Sequence, residues 1–199
     1  MKITNIDALH LRIEDPNIGL FDGSYDTCVI VVETDTGHVG IGEVESLPQA
    51  IQGIIHALPA HNHARGLREL LIGEDPRDPE RLWQLMYDST DYIGRRGLVM
   101  HAIGGIDIAL WDLAGQAAGK PIYELLGGAR RDRVLAYGTI YPMARTPDEV
   151  KEQIRAAQAK NLRAFKFAAD PWWMEDIALT GKLLRAAREA AGDDAIIIV

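Results

Sequence analysis

Cysteine is almost missing from this chain. Cys28 stands alone among 199 residues, so no disulfide framework can form, and a reducing compartment is expected. Positive charge is also scarce: 21 Lys and Arg face 29 Asp and Glu, for a net charge of −8. That balance argues against a nucleic-acid partner, which needs clustered cations to meet its phosphates. No apolar run reads as a membrane span, and Met1-Lys2-Ile3-Thr4-Asn5 lacks the apolar core of a signal peptide. The reading is therefore cytoplasmic, with no membrane partner. Gly40-Ile41-Gly42 leads into Glu43 rather than a helix carrying Lys and Ser or Thr, which excludes a phosphate loop, and no Gly-x-Ser-x-Gly elbow occurs. Low-complexity segments are absent as well.

The second half of the chain carries a strand-helix alternation. Val134 to Ile140 reads as a strand, followed by Thr146-Pro147-Asp148-Glu149, in which Thr146 caps a helix, Pro147 fits its first turn and Glu149 completes a capping box. Val150, Ile154 and Ala157 continue at helical spacing, and Asn161 ends the helix. Ala164 to Ala168 is the next strand. Its alternation puts Phe165 and Phe167 on one face and Lys166 with two alanines on the other. A helix over Glu175 to Ala191 stops at Gly192, and the apolar run Ala195 to Val199 reads as a strand buried on both faces. Such alternation gives parallel strands with right-handed crossovers, in a (β/α) barrel or a doubly wound sheet. In a barrel, Lys166 faces the interior near the strand's C-terminal end, where such enzymes keep their chemistry; the bland alternative is a snorkelling amine at the strand mouth. A doubly wound nucleotide-binding domain would need a glycine-rich turn where Tyr141-Pro142-Met143-Ala144 stands. Three barrel strands cannot close, so the chain is expected to be the front part of a longer protein.

The first half reads differently. Residues 2 to 13 alternate through Ile3, Ile6, Leu9, Leu11 and Ile13, Thr27 to Glu33 and His38 to Val44 follow as strands, and Asp35-Thr36-Gly37 marks the hairpin. The result is an antiparallel meander with loops at Asp15 to Tyr25 and Glu45 to Pro48. From Gln49 to Gln116 the pattern is helical, with Pro79 in a first turn and a regular helix over His101 to Ala117, in which Gly104, Gly105 and Ala109 permit close backbone approach. Gly119-Lys120-Pro121 ends it, Ile122 to Leu126 is a short turn of helix, and Gly127-Gly128 is a hinge. The expected division is 1–128 and 129–199. His56, His61 and His63 suggest a metal cluster, but Pro59 interrupts them and no carboxylate set stands nearby. Glu43 and Glu45 could pass for paired catalytic carboxylates, although structural hydrogen bonding suits a loop edge better.

Gly40-Ile41-Gly42-Glu43, Arg95-Arg96-Gly97-Leu98, the block Ala102 to Gly115 and Gly119-Lys120-Pro121-Ile122-Tyr123-Glu124-Leu125-Leu126-Gly127-Gly128 closely resemble the mandelate racemase and muconate lactonizing enzyme family of the enolase superfamily. The resemblance runs in order through the whole chain. It implies an α+β capping domain, antiparallel meander plus helices, followed by the start of a (β/α)7β TIM-like barrel.

What the family does is remove a proton next to a carboxylate and stabilise the enediolate with a divalent cation, usually Mg2+, and hydrogen-bond donors. The resemblance places the three metal carboxylates at the ends of later barrel strands, the first just after Val199, so this stretch alone should lack the metal site and activity. Lys166 matches the first lysine of the family's Lys-x-Lys motif, and Ala168 stands where the second would be. Two-base racemisation is thereby disfavoured, and dehydration of an acid sugar by a base on a later strand is the expected reaction. Racemase, epimerase or cycloisomerase activity and a non-enzymatic truncated scaffold are the alternatives. By the same resemblance the two meander loops select the substrate, a small carboxylate, with Phe21, Tyr25 and Ser46 as candidate contacts. Trp172 and Trp173 could wall the pocket, and Asp170 reads as a loop-entry residue. A homo-oligomer is implied.

Overall fold

The computed structural model describes residues 1–12, 26–61, 63–167 and 175–199. They form two compact units, Met1–Arg130 and Arg131–Val199.

In the first unit, strands β1 (Ile3–Arg12), β2 (Asp26–Thr34) and β3 (Val39–Val44) pair antiparallel in that order. Gly37, at φ 81°, supplies the left-handed residue the β2–β3 turn needs, and Thr34 donates both its backbone N–H and its hydroxyl to the His38 carbonyl. The expected alternation along β1 is out of phase. The register slips between Ile3 and Asn5, so Ile3, Ile6 and Ala8 are buried while Leu9 and Leu11 turn outward at 42% and 50% exposure. A single irregularity of this kind moves every later side chain to the other face. Ile13 lies outside the described residues.

Helices α1 (Pro48–His56), α2 (Leu67–Leu71), α3 (Pro79–Ser89), α4 (Leu98–Ala118) and α5 (Ile122–Leu125) follow. Pro79 sits in the first turn of α3, and Asp78 caps it by accepting from the Arg81 N–H at 3.3 Å. Ile51 and Ile55 of α1, Leu82 and Met86 of α3, and Ala102, Ile103, Ile106, Leu110 and Leu113 of α4 share one core with Ile6, Ile30 and Val32. Full burial of each large aliphatic chain stabilises by about 1.5–3 kcal/mol. Contrary to the sequence reading, α4 is long and apolar enough to cross a bilayer by length and composition. Here it is the central core helix of the unit, which explains an apolar content beyond that of a surface helix.

The contact between β3 and α4 explains Gly40-Ile41-Gly42. A Cβ on Gly42 would overlap the Gly105 carbonyl oxygen and lie 3.1 Å from its carbon; one on Gly40 would overlap the Ala109 carbonyl oxygen and lie 2.7 Å from Leu113 Cγ. A Cβ on Gly105 would in turn strike Val44 Cγ2. Gly104 plays no such part, because a Cβ there meets nothing within 4 Å. At the same contact Asp112 accepts the edge N–H of Ile41 at 3.0 Å.

In the second unit β4 (Gly138–Ile140), α6 (Pro147–Ala159), β5 (Ala164–Phe167), α7 (Ile177–Ala191) and β6 (Ile196–Ile198) alternate, with the strands parallel in the order β4-β5-β6. β4 is shorter than the expected Val134 to Ile140. Its pairing begins at Gly138 opposite Phe165, and β5 starts only one residue earlier, so Val134 to Tyr137 have no partner strand among the described residues. Thr146 caps α6 by accepting from Glu149 N at 3.3 Å. The Glu149 carboxylate reaches Ala144 N instead of closing a reciprocal box. Asn161, at φ 63°, turns the chain out of α6. Asp176 caps α7 through Leu179 N at 2.8 Å. Phe165 and Phe167 pack with Ile140, Val150, Ile154, Leu183 and Ala187. The opposite face of β6 departs from the double burial expected of it: Ile196 and Ile198 are 49% and 37% exposed, because the two crossover helices cover only the phenylalanine side of the sheet.

Candidate functional site

Lys166 lies on the side of β5 opposite the phenylalanines, and its side chain is exposed. Parallel register sets it between Thr139 of β4 and Ile198 of β6. Its Nζ stands over the Tyr137 ring, 5.9 Å from the centroid, the outer reach of a cation–π contact. The connection leaving the C-terminal end of β4 is pinned from α6: Gln153 accepts from Tyr141 N at 2.9 Å and donates to Tyr141 O at 2.6 Å, while Glu149 accepts from Ala144 N at 2.8 Å. Sequence reading gave Gln153 no role; its position one turn after Glu149 was the available signal. Ala168, Asp170, Trp172 and Trp173 lie outside the described residues.

The loop after β3 carries Ser46. It is a short connection held by buried residues at both ends, Val44 at one and Pro48 at the other. Ser46 Oγ lies 3.0 Å from Nδ1 of His101, a residue of the first part of α4 that sequence reading did not single out as a site residue. Phe21 and Tyr25 lie outside the described residues. The strand ends that flank their segment carry a polar cluster: Asp26 Oδ1 is 3.1 Å from His10 Nε2 and 3.0 Å from Arg12 Nε, with Gln49 Nε2 3.4 Å from His10 Nδ1. His10 Nε2 and Asp26 Oδ1 are shielded from solvent and meet outside good hydrogen-bond alignment, so their contact is one of charge when the imidazole is protonated.

The discounted features have ordinary partners. Glu43 accepts from the Thr27 hydroxyl at 2.7 Å, and His56 Nε2 lies 3.4 Å from Asp7. The His61 ring meets Tyr92 edge-on, with centroids 4.9 Å apart. Among the described residues no group of three His, Cys, Asp or Glu converges to hold a metal ion. The described side chains therefore do not fit the divalent cation that the resemblance implies. Burial pushes the Asp107 carboxyl and the Cys28 thiol up from their ordinary values. The Arg77 guanidinium holds Asp75 well below the usual carboxylate range.

A sequence profile of the mandelate racemase / muconate lactonizing enzyme N-terminal domain matches residues 23–127. Arabinonate dehydratase of Saccharolobus solfataricus is 33% identical over 197 residues, covering 97% of this chain and 48% of that protein. D-Galactonate dehydratase of Verminephrobacter eiseniae is 43% identical over 111 residues, 55% of this chain and 26% of that one. Among solved structures, one described as a predicted mandelate racemase from Rhodobacter sphaeroides aligns with TM-score 0.80 at 29% identity, covering 98% of this chain and 49% of its own. An enolase from Agrobacterium radiobacter with sodium and L-malate bound aligns with TM-score 0.77 at 26% identity, covering 99% and 47%. The chain belongs to the mandelate racemase and muconate lactonizing enzyme family of the enolase superfamily. Its architecture is that family's α+β cap followed by the opening strands of the barrel. It spans at most about half the length of these relatives.

Proposed function

We propose that the complete protein is a metal-dependent lyase that dehydrates an acid sugar, an aldonate or aldarate, with Mg2+ as the cation. The observation that carries this reading is Lys166, an exposed ammonium on the face of a parallel sheet opposite the one that α6 and α7 cover, in a chain similar to arabinonate and galactonate dehydratases. A cation there offsets the negative charge that grows on the substrate carboxylate as the α-proton leaves and the enediolate forms. A base outside this chain takes the proton, the β-hydroxyl departs as water, and the resulting enol rearranges to a 2-keto acid. Phe21, Tyr25 and Ser46 of the cap loops are the proposed substrate contacts, and a homo-oligomer in the cytoplasm is the proposed setting. Ala168, at the place of a second lysine, supports water loss over two-base racemisation.

The test is to incubate the complete gene product and its Lys166→Met variant with Mg2+ and a panel of aldonic and aldaric acids, following 2-keto acid release. Turnover of one acid with loss of about a hundredfold or more in the variant is expected, the scale on which removing a charge stabiliser acts. Epimerisation without water loss, or no turnover of any acid, would overturn the reading.

A further inference from the structure

Ser46 and His101 are 55 residues apart in sequence and 3.0 Å apart in space. A serine hydroxyl has one proton to give and two lone pairs to receive with, so what its neighbour takes decides what it can offer a ligand. A neutral imidazole carries its proton on one nitrogen only, and the other nitrogen accepts. His101 is exposed and Ser46 half-buried, so the ring meets water, where a neutral histidine imidazole favours the tautomer protonated at Nε2. That arrangement leaves Nδ1 bare to take the Ser46 proton. Ser46 Oγ then turns lone pairs alone toward an incoming molecule.

The two residues are held firmly enough for this to matter. Ser46 sits two residues beyond buried Val44 and two before buried Pro48. Val44 is packed where Gly105 lacks a side chain, and His101 stands on that same helix one turn earlier. Strand end and helix are thus anchored at one close contact, which keeps Ser46 Oγ and His101 Nδ1 within hydrogen-bond distance.

We infer that His101 is a positioning residue which, by accepting the Ser46 proton at Nδ1, makes Ser46 an acceptor for a hydroxyl of the polyol chain of the substrate and not a donor to its carboxylate. This rests on the acid-sugar reading above. It adds a polarity to one substrate contact and a residue that sets it.

Two measurements separate the inference from the reading beneath it. Long-range proton–nitrogen correlation on the histidine-labelled chain reads the His101 tautomer with no substrate present. Protonation on Nε2, with an Nδ1 resonance that moves in Ser46→Ala, is expected; a proton on Nδ1, or no response to Ser46→Ala, overturns the inference. Steady-state kinetics of the complete enzyme then compare the acid it dehydrates with deoxy analogues of that acid, each lacking one hydroxyl beyond the reacting carbons. His101→Leu should raise KM for the parent acid about tenfold, the order of one hydrogen bond, while kcat stays within about threefold, and should erase discrimination against one of those analogues. His101→Asn places an amide oxygen where Nδ1 was and should restore the discrimination. Leu and Asn variants that behave alike overturn the inference while leaving the dehydratase reading intact. An enzyme that dehydrates no acid sugar refutes that reading and the hydroxyl assignment with it, and the nitrogen spectrum still decides whether the Ser46–His101 bond exists as described.

Discussion

Two glycine substitutions, one inside the strand-helix contact and one on the same helix but off it, should have opposite signs. In Gly42→Ala the added methyl overlaps the Gly105 carbonyl oxygen and lies 3.1 Å from Gly105 C and 3.2 Å from Ala109 N. All three neighbours are backbone, so no side-chain rotation relieves the overlap. Strand and helix must part by about 1 Å to regain normal separation. Overpacking of this kind costs about 1–3 kcal/mol, and the rigid surroundings place it at the upper end. Separation also stretches the 3.0 Å bond from Ile41 N to Asp112, and a hydrogen bond to a charged group contributes about 1.5–3 kcal/mol. The expected loss is about 3–5 kcal/mol, or roughly 10–20 °C in Tm for a unit of this size. Gly104→Ala meets nothing within 4 Å in the interior of the same helix and should gain about 1 kcal/mol from helix propensity. Urea and thermal unfolding followed by far-UV circular dichroism, with amide exchange of the α4 backbone, measure both. A Gly42→Ala protein within about 0.5 kcal/mol of the parent, the range of an inconsequential surface change, would refute the described approach of β3 to α4.

Asp107 has its folded pKa raised by burial, so its contribution favours the fold below the unfolded carboxylate pKa and is lost as pH rises through the folded value. Asp107→Asn should therefore stabilise the chain at neutral pH, with the advantage vanishing toward about pH 3; an advantage independent of pH in denaturant titrations would contradict the burial. Arg188 Nη1 donates to the carbonyls of Gly192, Asp193 and Ala195 at 2.9, 3.2 and 2.7 Å. Arg188→Met should cost about 1–3 kcal/mol through the carbonyls it strands and raise amide exchange across β6, whereas unchanged exchange would mean that water replaces the guanidinium freely. Asp112→Ala should lower stability by about 1.5–3 kcal/mol and Asp112→Asn by less, because the amide oxygen can still accept from Ile41 N; equal losses in chemical denaturation would argue against that bond.

Legibility in the sequence followed the physics of each element. The Thr146 cap, the Pro79 first turn and the long helix ending at Gly119 depend on neighbours a few residues away, and local pattern carries that information. The same holds for Lys166, whose face follows from simple alternation with Phe165 and Phe167. The outward turn of Leu9 and Leu11 was not readable, because one register slip near Ile3 resets the phase of a strand whose residues look equally apolar on both sides. Gly104 and Gly105 are likewise indistinguishable as letters; only the direction of α4 against β3 decides which one is pressed upon. The late start of β4 and the exposure of Ile196 depend on pairing with distant strands. The Ser46–His101 bond is non-local in the same way, joining a loop and a helix that no window of sequence contains together.

The short connection between Val44 and Pro48 has a bearing on how enzymes of this build could diversify. Its two ends are locked into the interior while Glu45 and Leu47 reach solvent, so the scaffold bears almost none of the burden of whatever letters occupy the span. Under the proposed substrate contact at Ser46, exchanging that single hydroxyl for an amide or a carboxylate would shift the preference with the fold left untouched. A library confined to those few positions would explore recognition at little risk to folding.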